Sequence, residues 1–291
     1  MTPTCNICSK KKVLDTPSFI FYLLGMKAFI FSDFHYDYYR KEMTMDTFVS
    51  KFLPADMLIV PGDIASKFNA AREILKRLCD MYSHVIFCLG NHDMTTHVDY
   101  GKFNTTEEKI ESFHKLADSI DNLHMLDGNT ETICGVTIGG CTGIWDYTYL
   151  RYLDTSHTKQ EVDSNWVANT YDGKYWNYMD NDITRIRERM NQQCRSVLAT
   201  KPDVMVTHFA PINFRLPDEH ARFNSVYYYF SPEYIDMLKP GSIWCAGHTH
   251  TAYNVGNLYI NPLGYPDENP YEFNSLKKED FVIDLPHNNL F

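Results

Sequence analysis

The chain has 291 residues, 44% of them hydrophobic and 22% charged, and carries a formal net charge of −10. These are globular proportions, with enough length to bury a substantial core as one large domain or two small ones. The negative balance excludes the broad basic face that duplex nucleic acid requires, but not a small anionic substrate held through metal.

Residues 1–25 read as an N-terminal extension of unclear role. Lys10, Lys11 and Lys12 followed by TPSFIFYLLG imitate the basic and apolar parts of a signal peptide. No small-x-small cleavage site follows, and the apolar run is too short to span a bilayer, so no membrane partner is expected. Cys5 and Cys8 form a lone CxxC, a weak zinc signal without a second pair beside it. The eight cysteines are scattered, which favours a cytoplasmic setting over a disulfide-rich secreted one.

A single domain is expected over residues 26–291. Within it five short apolar runs share one design: AFIF (28–31) leads into SDFH, MLIV (57–60) into PGD and VIFCL (85–89) into GNHD. VMV (204–206) leads into THFAP, and IWCA (243–246) into GHTH. Short, bounded by turn residues and rich in β-branched or aromatic side chains, each reads as a buried strand. Asp33, Asp63 and Asn91 follow one another at about the 30-residue length of a βαβ unit. Between the second and third runs, NAAREILKRLCDMYS has helical spacing. Further helices are expected at TTEEKIESFHKLADSI, with Thr105 or Thr106 as N-cap, and at residues 182–200. Shorter strands follow at TICGVTIGG and HTAYNVGNLYINP. Residues 145–182, dense in Trp and Tyr, read as an aromatic-rich elaboration without regular structure.

Parallel strands in an α/β sheet place their carboxyl ends side by side, and ligands bind there. The polar ends here are Asp33-x-His35, Gly62-Asp63, Gly90-Asn91-His92-Asp93, His208 and Gly247-His248-x-His250. Carboxylate, amide and imidazole donors together suit first-row divalent ions. Seven ligands are too many for one ion and suit two that share a carboxylate, an arrangement used for in-line displacement at phosphorus. Asp63, the single carboxylate near the middle of the series, fits the shared position. Strand alternation would send His248 and His250 to one side, with Thr249 facing away. Taken singly, Asp33 or Asp63 could equally be a helix N-cap.

The ordered series D-x-H, G-D, G-N-H-D, H, G-H-x-H resembles the calcineurin-like metallophosphoesterase superfamily over about residues 27–262. The resemblance implies a four-layer αββα sandwich of two mixed β-sheets flanked by helices, with the metal site at the strand ends. It implies two divalent ions (Mn, Fe or Zn): Asp33, His35 and His250 for one, Asn91, His208 and His248 for the other, and Asp63 between them. His92 matches the superfamily's catalytic histidine, which implies that it protonates or stabilises the leaving oxygen while a metal-bound hydroxide attacks phosphorus. Asp93 is expected to orient neighbouring groups.

Serine/threonine protein phosphatases of the superfamily carry G-D-x-V-D-R-G, whereas this chain has GDIASKF, with Ser66 in place of the aspartate and no arginine. The GNHD form is shared with class III cyclic-nucleotide phosphodiesterases and with the superfamily's DNA-repair nucleases, but the latter need a DNA-binding surface and extra domains that a −10 charge and 291 residues do not support. A phosphodiesterase acting on a small phosphoester, such as a nucleotide, is therefore favoured. The alternative is a phosphomonoesterase acting on a small metabolite or phosphoprotein. A non-catalytic scaffold of the same fold is disfavoured because the ligand set and His92 are intact. Arg215, Arg222 and Asn224 follow His208 closely enough to be candidates for holding a phosphate. The other seven histidines receive no role.

Overall fold

The computed structural model describes residues 26–152, 157–211, 226–227, 229–230, 232–272 and 275–285. The N-terminal extension and Arg215, Arg222 and Asn224 lie outside the described residues.

In chain order the elements begin with β1 (Lys27–Ile30), α1 (Tyr36–Tyr39), α2 (Met45–Val49), β2 (Met57–Pro61), α3 (Phe68–Cys79), β3 (His84–Cys88), α4 (Thr106–Asp118) and β4 (Leu123–Met125). They continue with β5 (Asn129–Ile133), β6 (Val136–Cys141), α5 (Lys159–Asn169), α6 (Tyr171–Tyr175), α7 (Ile183–Ala199), β7 (Val204–Thr207), β8 (Ala210–Pro211) and β9 (Tyr229–Phe230). The last are β10 (Ile243–Ala246), β11 (Tyr253–Val255), β12 (Leu258–Ile260) and β13 (Val282–Asp284).

One sheet has the order β13-β1-β2-β3-β4, and it is parallel except for β13. The other runs β11-β12-β10-β7-β6-β5, with a parallel centre and antiparallel edges at β11 and β5. β2 and β3 pack against β7, and β2 against β10, so the two sheets meet face to face. α3 and α4 contact the first sheet, and α7 contacts β5 and β6 of the second. These are the four layers expected. Burial on both faces explains why MLIVP of β2 is apolar throughout rather than alternating, and every one of its residues is buried.

The two expected groups of short strands are both hairpins. β5 and β6 turn through Cys134 (φ 50) and Gly135 (φ 85), consecutive left-handed residues whose twist matches paired strands. β11 and β12 close around Gly256 (φ 65).

The aromatic-rich elaboration departs from expectation, since it contains α5, α6 and single turns at Tyr147–Tyr152 and Met179–Asn181. Its caps are local. Thr158 Oγ1 accepts from Glu161 N at 3.2 Å while Glu161 Oε2 accepts from Thr158 N at 2.7 Å. Thr170 Oγ1 then accepts from Gly173 N at 3.0 Å and starts α6. Apolar periodicity missed these helices because α5 buries only Val162 and Trp166. Trp145, Trp166 and Trp176 are fully buried, so much of the aromatic content packs as core.

Candidate metal centre

The carboxyl ends of β1, β2, β3, β7 and β10 release the five polar blocks at one place. An isolated parallel bridge, Ser32 with Pro262, joins the loops beyond the two sheets. Gly247 N donates to His208 O at 3.0 Å, and His35 N to Asp63 O at 3.0 Å. Close approach demands small residues here: a Cβ on Gly90 would collide with the Asp63 carboxylate.

Asp33, His35, Asp63 and His250 form one group whose ligand atoms all lie within 4.8 Å of one another, and Asp63, His208 and His248 form a second. The groups share Asp63. Its Oδ1 accepts from His92 N at 2.9 Å. Its Oδ2 lies 3.6 Å from His35 Nε2 and 3.5 Å from His208 Nε2, one oxygen reaching both groups. Asn91 joins the second group, with Oδ1 2.8 Å from His208 Nε2. Asp33 is not a helix cap; it accepts from His248 N at 2.9 Å and faces His250 Nε2 at 3.5 Å. All seven residues expected as ligands are thus brought together.

The donor spacing fits a first-row divalent ion. Donors at about 2.0–2.2 Å from such an ion stand roughly 3.0–3.5 Å from each other. His35 Nε2 and His250 Nε2 are 3.0 Å apart, and His208 Nε2 and His248 Nδ1 are 3.1 Å apart. Two of the far nitrogens are held by other groups, since His208 Nδ1 donates to Pro61 O at 2.9 Å and His250 Nδ1 donates to Glu268 Oε2 at 2.6 Å, while His35 Nδ1 is buried without a partner among the described residues. His208 Nε2 therefore carries a lone pair, yet it faces the Asn91 oxygen, a contact between two acceptors that a cation would make favourable.

Burial sets the charge state of the group. It holds His208 down at about 3 and His35 and His248 well below the ordinary imidazole range, so these rings stay neutral as ligands must be. Burial, with the charges of Asp93 and Asp33, pushes Asp63 well above the carboxylate range. His250 is the exception, because the Glu268 hydrogen bond and the Asp33 charge outweigh its burial and raise it.

The expected alternation at His248 and His250 is not what aims them. β10 ends at Ala246, and the two histidines take left-handed backbone, with φ of 68° and 52°. Asp33 (φ 53), His35 (φ 42) and Asp63 (φ 53) are left-handed as well. This conformation is uncommon without glycine and marks backbone held for a purpose. Thr249 turns back onto Thr251, with its Oγ1 3.3 Å from Thr251 O.

His92 stands beside the cluster, its ring centroid 4.8 Å from that of His35. Its Nδ1 lies 3.2 Å from Ser66 Oγ and its Nε2 3.2 Å from the Tyr265 hydroxyl. Tyr171 stacks on it at 4.5 Å and 18°. Burial, aided by the charge of His250, lowers it to about 3. Asp93 ties two blocks together, accepting from Ile64 N and Ala65 N at 3.0 Å and from Gly90 N at 2.8 Å.

Tyr265, Glu268 and Asp172 carry no signal in the sequence, and Tyr171 is visible there only as one of the many aromatics of residues 145–182. Glu268 holds both His250 Nδ1 and, at 2.7 Å, Tyr265 N, which carries the phenol to His92. Nothing in GYPDENP announces this, because its partners lie far away in sequence. A Tyr265→Phe variant should keep its metal content and lose about tenfold in kcat, the scale of one hydrogen bond to a working group. Unchanged kcat would remove Tyr265 from the site.

The calcineurin-like phosphoesterase family model matches residues 26–252. The chain belongs to that family. It is a phosphoester hydrolase with a candidate metal-binding cluster at its strand ends. Among solved structures, this phosphoesterase is similar to the phosphopantetheinyl hydrolase of Mycobacterium tuberculosis, at 18% identity and a TM-score of 0.65, covering 92% of this chain and 99% of that one. The TT1561 protein of Thermus thermophilus is 10% identical over 83% of this chain and 90% of its own, with a TM-score of 0.49. No curated protein matches the chain. Among the described residues, no helix is long and apolar enough to cross a membrane.

Proposed function

We propose that this phosphoesterase is a dinuclear phosphodiesterase, with Asp33, His35 and His250 holding one divalent ion and Asn91, His208 and His248 the other. The observation that carries the reading is Asp63 Oδ2, within 3.6 Å of a histidine from each group. Two such ions supply positive charge for the phosphoryl oxygens and a water that ionises near neutral pH. The protein holds the donors at fixed spacing, excludes water by burial, and places His92 beside the cluster; lowered to about 3 by burial, its neutral ring stabilises the leaving oxygen through an N–H, and protonates it only where a bound substrate anion charges the ring. Asp93 fixes the loop that presents Asn91 and His92. Mn, Fe and Zn all suit this donor set.

A diester is favoured because Tyr38, Tyr171 and Tyr265 gather around His35 and His92. Neutral aromatic groups suit a monoanionic diester with an apolar or planar substituent, such as a cyclic nucleotide, better than a dianionic monoester. Arg215, Arg222 and Asn224 are carried forward as phosphate contacts on their closeness to His208 in sequence. The cytoplasmic setting is carried forward on the buried free thiols of Cys88, Cys141, Cys194 and Cys245, against which stands Cys134, which is disulfide-bonded.

The test is metal-stripped protein reloaded with Mn²⁺, assayed on bis-p-nitrophenyl phosphate and p-nitrophenyl phosphate. Metal-dependent turnover, faster on the diester, is the expected result. Faster monoester turnover would reverse the preference, and no turnover of these or of a panel of natural phosphoesters would sink the reading.

A further inference from the structure

Asn91 must present its oxygen, not its amino group, to act as a ligand, and an amide has two nearly equivalent orientations. The structure shows what chooses between them. Asn91 Nδ2 donates to Asp172 Oδ1 at 2.8 Å, which turns Oδ1 toward His208 Nε2. The Asn91 main-chain carbonyl is fixed from the same direction by Trp176 Nε1, at 2.8 Å. Tyr171, next to Asp172, stacks on His92. Three residues within Tyr171–Trp176 therefore grip the Asn91–His92 pair.

Asp172 lies in the first turn of α6, where an acid suits the helix dipole, but a five-residue helix does not dictate where its carboxylate points. It is 7% exposed on a short helix, and among the described residues its side-chain hydrogen bond goes to Asn91. A buried carboxylate is costly unless its bonding does something an apolar residue could not. We propose that Asp172 is a positioning residue: its carboxylate locks the Asn91 amide with the oxygen toward the second ion. This rests on the reading of Asn91 as a ligand. It also gives the aromatic-rich segment a role beyond core packing, as the part of the chain that orients one ligand and the neighbouring proton donor.

The test reads metal binding directly, by calorimetric Mn²⁺ titration of the stripped full chain and by the spin-coupled electron paramagnetic resonance signal of a Mn pair. Asp172→Leu, similar in shape but unable to accept, should weaken the second ion by about 10–100-fold and leave the first nearly unchanged. Asp172→Asn can still accept through its amide oxygen and should lose less. Asn91→Asp alone sets two carboxylates against each other and should weaken the second ion. Combined with Asp172→Asn it restores the hydrogen bond with donor and acceptor exchanged, and should recover most of the loss.

A merely structural Asp172 predicts no such rescue, so a double variant no better than Asn91→Asp overturns the proposal, even if Asp172→Leu fails to fold. Wild-type binding of both ions by Asp172→Leu overturns it too. If Asn91→Ala keeps the second ion, the ligand reading falls and takes this inference with it. If Asn91→Ala loses that ion while Asp172→Leu keeps it, this inference alone falls.

Discussion

An Asp63→Asn variant is expected to bind neither ion normally and to lose more than about 10³-fold in kcat/KM, well beyond the 10–100-fold typical of residues behind the ligands. The reason is the position of one atom. Asp63 Oδ2 faces His35 and His208, one from each group, while Oδ1 is already committed to His92 N. Asparagine can keep one acceptor but brings a neutral NH2 where an anion must face two cations, and no neighbour can replace that charge at both. Metal analysis should show both ions weakened together. Loss of only one would mean that the two groups are independent and that Asp63 belongs to a single ion.

A His92→Ala variant should behave in the opposite way, keeping two ions while the rate falls by about 10²–10⁴-fold, the range of general acid catalysis. His92 contacts Ser66, Tyr265 and Tyr171 rather than the converging donor atoms. The loss should shrink on substrates with good leaving groups such as p-nitrophenolate, because these need little protonation, and grow with alkoxide leaving groups. Loss of metal from the variant, or an equal loss across leaving groups, would show that His92 does not act on the leaving oxygen.

The five blocks were legible because each follows a buried strand, and strand ends in an α/β sheet converge whatever lies between them. The partners of those blocks were not. Asp172 meets Asn91, Tyr265 meets His92 and Glu268 meets His250 across loops whose path no local pattern encodes. α5 and α6 were missed because periodicity was the signal sought, while their starts are written in hydroxyl caps at Thr158 and Thr170. The GHTH histidines were placed on the correct side for the wrong reason, since left-handed turns aim them rather than strand alternation.

Those turns have a thermodynamic corollary. Among the described residues eleven non-glycine positions have positive φ, and Asp33, His35, Asp63, His248 and His250 are five of them. Each costs about 1–2 kcal/mol relative to glycine in the same place. Glycine would relieve the chain and remove the donor, so these positions cannot be improved for stability without dismantling the cluster. An ion that binds only the folded chain offsets this penalty through mass action. On the proposed reading, melting temperature would report occupancy, and divalent metal would assist folding as well as catalysis.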